Sequence, residues 1–301
     1  MFSIIIPVHN KLPHLDRSIA SVLNQSYSDF ELILVDDAST DGSSEKLPEF
    51  KDQRIKLLYR DTPGPGGYAA RNLGITEAAN EWIVFLDADD IWEPHHLSDI
   101  KKAIVEFQNV EVIATKWETS RNGKRQVVKE LTRYNRKYTQ FSLTDFFYVK
   151  SLMWTGAVAI KKELFKVAGL FPEKKCKRGG DLDTWIRCLY LSRENIFINN
   201  VSAVYFRDTV NQVTDNNSNP ALSICSEETI NFVRSKTSDG KLLKAIDIFC
   251  AGFAFNIIIG AIKRDGVFLS SIASIIHSPF IRLRVLMKAR VYWLLVFLKL
   301  K

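Results

Sequence analysis

A chain of 301 residues, 46% hydrophobic and 25% charged, can bury a large core, which excludes a disordered, collagen-like or disulfide-stapled miniature protein. Its formal charge of +7 is uneven: residues 241–301 hold a net +8 and residues 1–240 a net −1, so the body of the chain lacks the basic surface that nucleic acid needs. Cys176, Cys188, Cys225 and Cys250 lie 12, 37 and 25 residues apart, match no zinc or redox spacing, and are expected to be ordinary thiols of a reduced cytosolic protein.

In chain order, Phe2–Val8 (FSIIIPV) reads at once as a buried strand. That predicts no secretory leader ahead of the fold, and a cytoplasmic catalytic part. Leu12, Leu15, Ile19, Val22 and Leu23 then recur at helical spacing, and Glu31–Val35 reads as a second buried strand ending in Asp36-Asp37. A turn through Ser39–Gly42, a short helix, a strand at Arg54–Tyr59 and the glycine-rich loop Pro63–Gly67 lead to a helix bearing Arg71 and Asn72. Strands alternating with helices predict an α/β fold, a mostly parallel central sheet flanked by helices.

The run Glu81–Trp92 is the most informative stretch. An apolar strand rich in β-branched and aromatic residues stops at three carboxylates within four residues, Asp87, Asp89 and Asp90. Acids so crowded raise one another's pKa unless a cation sits between them, and hard oxygen ligands suit Mg2+ or Mn2+. Pro94 then opens a helix with Leu97, Ile100, Ile104 and Phe107 on one face. A solvated, capped turn is the competing reading of the acids. Two acid-ended strands of one parallel sheet, however, would set Asp36-Asp37 and Asp87-Ala88-Asp89 on a single carboxyl edge, where open α/β sheets bind ligands. Arg71 and Asn72 can face that crevice and meet a phosphate or a polar base, or Arg71 can pair with one of the acids.

Further on, Val110–Ala114 reads as a strand, Lys116–Lys137 is polar and basic without an assignable element, and Phe141–Tyr148 reads as a short helix. Trp154–Ile160 reads as a strand running into a helix at Lys162–Val167, closed by Gly169. A loop of charge and glycine then precedes a helix with Leu182, Trp185, Ile186 and Leu189 at helical spacing, which Asp181 would cap. Ile196–Asn199 and Val201–Phe206 read as short strands and Thr209–Pro220 as a mobile polar loop. The catalytic domain is expected over residues 1–215 and a helical extension over 216–301. No serine-histidine or cysteine-histidine arrangement involves His9, His14, His95, His96 or His277, and the glycines at 64–67 lack the dinucleotide-binding spacing.

Five blocks in order, Ile4–Asn10 (IIIPVHN), Ser21–Tyr27 (SVLNQSY), Glu31–Asp41 (ELILVDDASTD), Ala70–Gly74 (ARNLG) and Phe85–Trp92 (FLDADDIW), resemble family 2 inverting glycosyltransferases, of the bacterial surface-polysaccharide type. The resemblance implies the Rossmann-like A-type glycosyltransferase fold and metal-dependent, inverting transfer of a hexose from a nucleotide sugar, with a UDP-sugar favoured, to a hydroxyl of a glycan or lipid-linked acceptor. It implies that Asn10 lies near the nucleotide, Asp37 contacts the base, Arg71 holds the nucleotide, Asp87 meets the ribose, and Asp89 ligates Mn2+ or Mg2+ on the diphosphate. Members show Gly-Glu-Asp before a helix with Trp and Arg, and that Asp is the general base; here Gly179-Gly180-Asp181 keeps Asp181 but has glycine for the Glu. Tyr205-Phe206-Arg207 resembles the family's aromatic-Arg segment, without the His that often follows. The alternatives are an inactive nucleotide-sugar-binding membrane scaffold, which Gly180 alone favours, and a sugar-phosphate nucleotidyltransferase, against which Pro7–Pro13 stands where a glycine-rich phosphate loop belongs.

In the tail, Ile248–Ile262 is apolar but only 15 residues long. That makes about 22 Å of helix against a hydrocarbon core of about 30 Å, too short to cross comfortably. Arg282, Arg284, Lys288 and Arg290 precede the apolar Val291–Leu298, and at about 100° per residue these bases do not gather on one face. The expectation is a tail lying peripherally on the inner face of the cell membrane; packing on the catalytic domain or a homo-oligomer contact is the competing reading.

Overall fold

The structure, a computed structural model, describes residues 1–176, 178–210 and 225–299. Most of the expected loop Thr209–Pro220 falls outside them. In order, the elements are β1 (Phe2–Val8), α1 (Leu15–Leu23), β2 (Phe30–Asp37), α2 (Ser43–Lys46), β3 (Ile55–Arg60), α3 (Tyr68–Glu77), β4 (Trp82–Phe85), β5 (Ile91–Trp92) and α4 (His96–Glu106). There follow β6 (Val110–Arg121), β7 (Lys124–Val127), β8 (Tyr138–Gln140), α5 (Leu143–Tyr148), β9 (Val158–Lys161), α6 (Lys162–Ala168), α7 (Gly180–Leu191), β10 (Glu194–Phe206), α8 (Glu227–Lys236), α9 (Gly240–Asp265) and α10 (Pro279–Lys299).

One compact unit holds Met1–Ser142 and Val149–Asn216. Its sheet runs β3-β2-β1-β4-β9-β6-β10-β5, with β7 on β6 and β8 on β10. β1 and β2 are buried on both faces, which is why they read as continuous apolar runs and not as alternation. β1 lies parallel to β2, with Val8 opposite Asp36, and parallel to β4, with Ile5 opposite Phe85. The chain thus winds outward through β2 and β3 before returning to the other side of β1, and the topological switch falls between the carboxyl ends of β1 and β4. β9 then enters antiparallel to both β4 and β6, so the sheet is mixed.

Two stretches of this unit differ from the sequence reading. Lys116–Lys137, unassigned from sequence, holds regular elements: β6 extends to Arg121 and turns at Asn122-Gly123, both at positive φ, into β7. The two short strands at 196–206 are one strand, β10, whose register on β6 shifts between Ile198 and Val201. Among the cysteines, Cys188 and Cys250 are buried free thiols, whereas Cys176 and Cys225 are disulfide-bonded, against the expectation of four ordinary thiols.

The second unit comprises Leu143–Tyr148 and Asn217–Lys301. Phe147 of α5 meets Phe249 of α9 edge to face at 5.0 Å. A buried ion pair links α8 to α9, with Arg234 Nη2 donating to Asp247 Oδ1 at 2.7 Å. Asp247 also accepts from the backbone N–H groups of His277 and Ser278 at 2.9 Å each, which fixes the turn into α10. Helix α9 has 26 residues, not the 15 expected, and by length and composition alone is long enough to cross a membrane. Half of its apolar window is buried within the protein.

Candidate active site

The carboxyl ends of β1, β2 and β4 surround a cleft of about 210 Å3 lined by His9, Lys11, Asp37, Arg71, Asp87 and Asp89, with Gly64, Gly66, Gly67 and Tyr205 on its walls. The parallel register produces this convergence, because residues far apart in sequence leave the sheet at one edge. Asp37 is 2% exposed. Its carboxylate accepts from Arg60, the residue opposite it on β3, and from the Gly64 N–H at 3.0 Å. A Cβ on Gly64 would stand 2.9 Å from the Ala69 Cβ, so only glycine lets the loop come this close to Asp37.

The three acids after β4 take three environments. Asp87 Oδ1 accepts from Arg71 Nη2 at 2.5 Å, so Arg71 forms the expected ion pair and also lines the cleft. The buried Arg71 Nε has no hydrogen-bond partner among the described residues. Asp89 Oδ2 accepts from Lys11 Nζ at 2.6 Å and from Thr209 Oγ1 at 2.7 Å, while its backbone carbonyl accepts from Arg17 Nη2 at 2.6 Å. Asp90 points away, its Oδ1 accepting from the Phe206 N–H at 2.8 Å and its buried Oδ2 without a hydrogen-bond partner among the described residues. Burial, with the charges of Asp89 and Asp87, pushes the Asp90 carboxyl well above the usual range. Arg71 and Lys11 thus set a positive charge against Asp87 and Asp89.

Asp181 stands in the first turn of α7, beside Gly179 in the left-handed conformation. Burial raises its carboxyl above the ordinary range, against the Leu182 N–H and the Arg71 charge, and Asp87 adds to the rise. Its field thus reaches the cleft, although it does not line it. Tyr68, the first residue of α3, accepts from the Gly180 N–H at 3.0 Å and stacks on Phe171. Burial and the Asp181 charge push its phenol up to about 12. A Cβ on Gly180 would lie 2.8 Å from two ring atoms of Tyr68 and 3.1 Å from Pro172, so the ring occupies the space of any side chain at 180.

Asn10 and Asn72 hold backbone segments around the cleft. Asn10, at φ 54°, accepts from the Thr40 N–H at 2.7 Å and donates its own N–H to Ser39 Oγ at 3.1 Å, so it ties the loops after β1 and β2 together. Asn72 brackets the backbone of one residue, donating to the Phe171 carbonyl and accepting from the Phe171 N–H, both at 2.9 Å. It sets the approach to α7. Sequence reasoning missed Lys11 and Arg60. Both stand at or just past strand ends of the parallel sheet, a position that could have found them.

As for a divalent ion, among the described residues no three His, Cys, Asp or Glu side chains gather as a metal cage. Asp89, with Asp87 beside it, instead fits an ion that takes most of its ligands from phosphate and water, as Mg2+ commonly does. Such an ion would have to displace the Lys11 ammonium from Asp89.

Residues 3–167 match the profile of Glycosyl transferase family 2. Over 92 residues, 31% of this chain and 36% of the relative, the sequence is 44% identical to the UDP-Glc:alpha-D-GlcNAc-diphosphoundecaprenol beta-1,3-glucosyltransferase of Escherichia coli. It is 40% identical over 114 residues, 37% of this chain and 34% of the relative, to an uncharacterized glycosyltransferase of Nostoc. The matches thus span about a third of these relatives' length. The fold is similar to that of S. aureus TarS 1-349, solved in complex with UDP-GlcNAc, with a TM-score of 0.72 over 96% of this chain and 87% of that one, at 17% identity.

Proposed function

This chain belongs to glycosyl transferase family 2, and we propose that it transfers a hexose from a nucleoside-diphosphate sugar, a UDP-sugar, to a hydroxyl of a glycan or lipid-linked acceptor with inversion at the anomeric carbon. The observation that carries this reading is the pairing of two acid sets: Asp37, Asp87 and Asp89 line a cleft at the switch point, and Asp181 stands electrostatically within reach of it at the head of α7. Support for the donor comes from TarS, crystallised with UDP-GlcNAc, and support for donor and acceptor from the name of the Escherichia coli relative.

In this mechanism the glycine loop and Arg71 hold the nucleotide, Asp37 and Asp87 meet its base and ribose, and Asn10 acts only by fixing the loops beneath. Asp89 would hold a Mn2+ or Mg2+ ion, which would supply positive charge to offset the negative charge developing on the leaving diphosphate. Asp181 takes the proton of the acceptor hydroxyl as that oxygen bonds to C1 and the bond from C1 to the diphosphate oxygen breaks, releasing the nucleoside diphosphate. A carboxylate with a raised pKa is a stronger base than a surface aspartate, which suits Asp181 to the task.

Thermal shifts with nucleoside diphosphates test the donor site. UDP should raise the melting temperature more with Mn2+ than without, and Asp89→Asn should keep the fold while losing the metal-dependent part. A metal effect equal in wild type and Asp89→Asn, or no response to any nucleoside diphosphate, would contradict the proposal.

A further inference from the structure

The second unit carries a surface that the transfer reaction does not use. On α10, Phe280, Leu283, Met287, Val291, Leu294 and Leu295 are between 47% and 76% exposed. At about 100° per residue these six fall within an arc of about 120°, a continuous apolar stripe, with the buried Val285 and Ala289 opposite. Together with Phe255 of α9, the stripe borders an open groove of about 690 Å3. So much contiguous apolar surface is unusual on a monomeric soluble protein.

The bases explain what the stripe faces. In sequence, the four at 282–290 are scattered around the helix. In the structure Arg282 is spent internally, its Nε donating to the Ile276 carbonyl at 2.8 Å. Arg284, Lys288 and Arg290 are exposed, and the same helical arithmetic places Arg284 just inside one edge of the stripe, Lys288 just outside that edge and Arg290 just outside the other, each within about 20° of it. An apolar stripe with cationic borders matches an acyl layer under anionic headgroups, where long basic side chains reach up to phosphate as the stripe sinks in. A second copy docked stripe to stripe would bring these like charges together.

We propose that α10 is an interfacial helix that seats the protein on anionic lipid bilayers through this stripe, with Arg284, Lys288 and Arg290 gripping the headgroups. The inference rests on the second unit alone and does not depend on the reading of the cleft. It also assigns membrane contact to α10 and not to α9, whose apolar length is half buried and carries the buried Asp247 pair.

Co-sedimentation of the full chain with vesicles at low salt tests it, using phosphatidylcholine alone and phosphatidylcholine with about a third phosphatidylglycerol. The protein should bind the anionic vesicles only. At about fivefold per charge, Arg284→Gln, Lys288→Gln and Arg290→Gln combined should weaken binding about a hundredfold. Leu283→Glu with Met287→Glu should abolish binding, and both variants should melt like wild type because the altered side chains are exposed. Equal binding to neutral vesicles, or binding unaltered in either variant, would overturn the proposal. So would failure to bind anionic vesicles, and a dimer in light scattering that Leu283→Glu dissociates would then identify the stripe as a self-association surface.

Discussion

The most specific residue-scale feature is the exchange of space between Tyr68 and Gly180. Family members place Glu where this chain has Gly180, and here the Tyr68 ring occupies the volume that its Cβ would need. Gly180→Glu should therefore destabilise the first unit by about 1–3 kcal/mol, the usual cost of overpacking. Adding Tyr68→Ala should recover part of that loss even though Tyr68→Ala alone destabilises, a non-additivity that urea melts of the four proteins would measure. Additive losses would mean that the two positions do not compete for space. The sequence showed that glycine was out of place but could not show why, since the contact joins residues 112 positions apart. Lys11 on Asp89 and Arg60 on Asp37 went unread for the same reason: each partner is set by the order and register of strands, not by neighbours in the chain.

At the scale of elements, the parallel strands and their terminal acids were legible because burial on both faces leaves continuous apolar runs that end abruptly. Polar elements were not. The β6–β7 hairpin has little apolar signal, and Asn122-Gly123, a strong turn pair, was the one clue to it. Helix α9 was read short because its apolar core hid the polar turns that complete it. Helix α4 carries a pH dependence that its sequence does not announce. His96, at its first residue, is buried, stacks on Trp92 at 4.2 Å and shares a 2.8 Å hydrogen bond with Ser202 Oγ. Burial, with the neighbouring His95, lowers its pKa from 6.5 to about 3. The folded state thus keeps His96 neutral while the unfolded state binds a proton below 6.5, so stability falls as the pH drops through this window. The loss should reach about 2 kcal/mol by pH 5. His96→Gln should remove that share of the acid sensitivity in parallel melts, and equal slopes for both proteins would contradict the assignment.

At the scale of the molecule, charge and chemistry are divided. The first 240 residues are nearly neutral and hold the acid-lined cleft, while the basic excess lies in the tail that forms α9 and α10. Each unit thus carries its own proposed task, donor chemistry in the first and lipid contact in the second. The central claim concerns the first: that the cleft binds a nucleotide sugar and that Asp181 removes the proton from the attacking oxygen. Its most direct test is a proton NMR time course of UDP-α-hexose turnover, with water or a saccharide as acceptor, for wild type and Asp181→Asn. The account predicts that the first product has the β configuration and that Asp181→Asn slows its formation by about 10²–10⁴-fold. A first product of α configuration, or an Asp181→Asn protein that turns over at the wild-type rate, would contradict it.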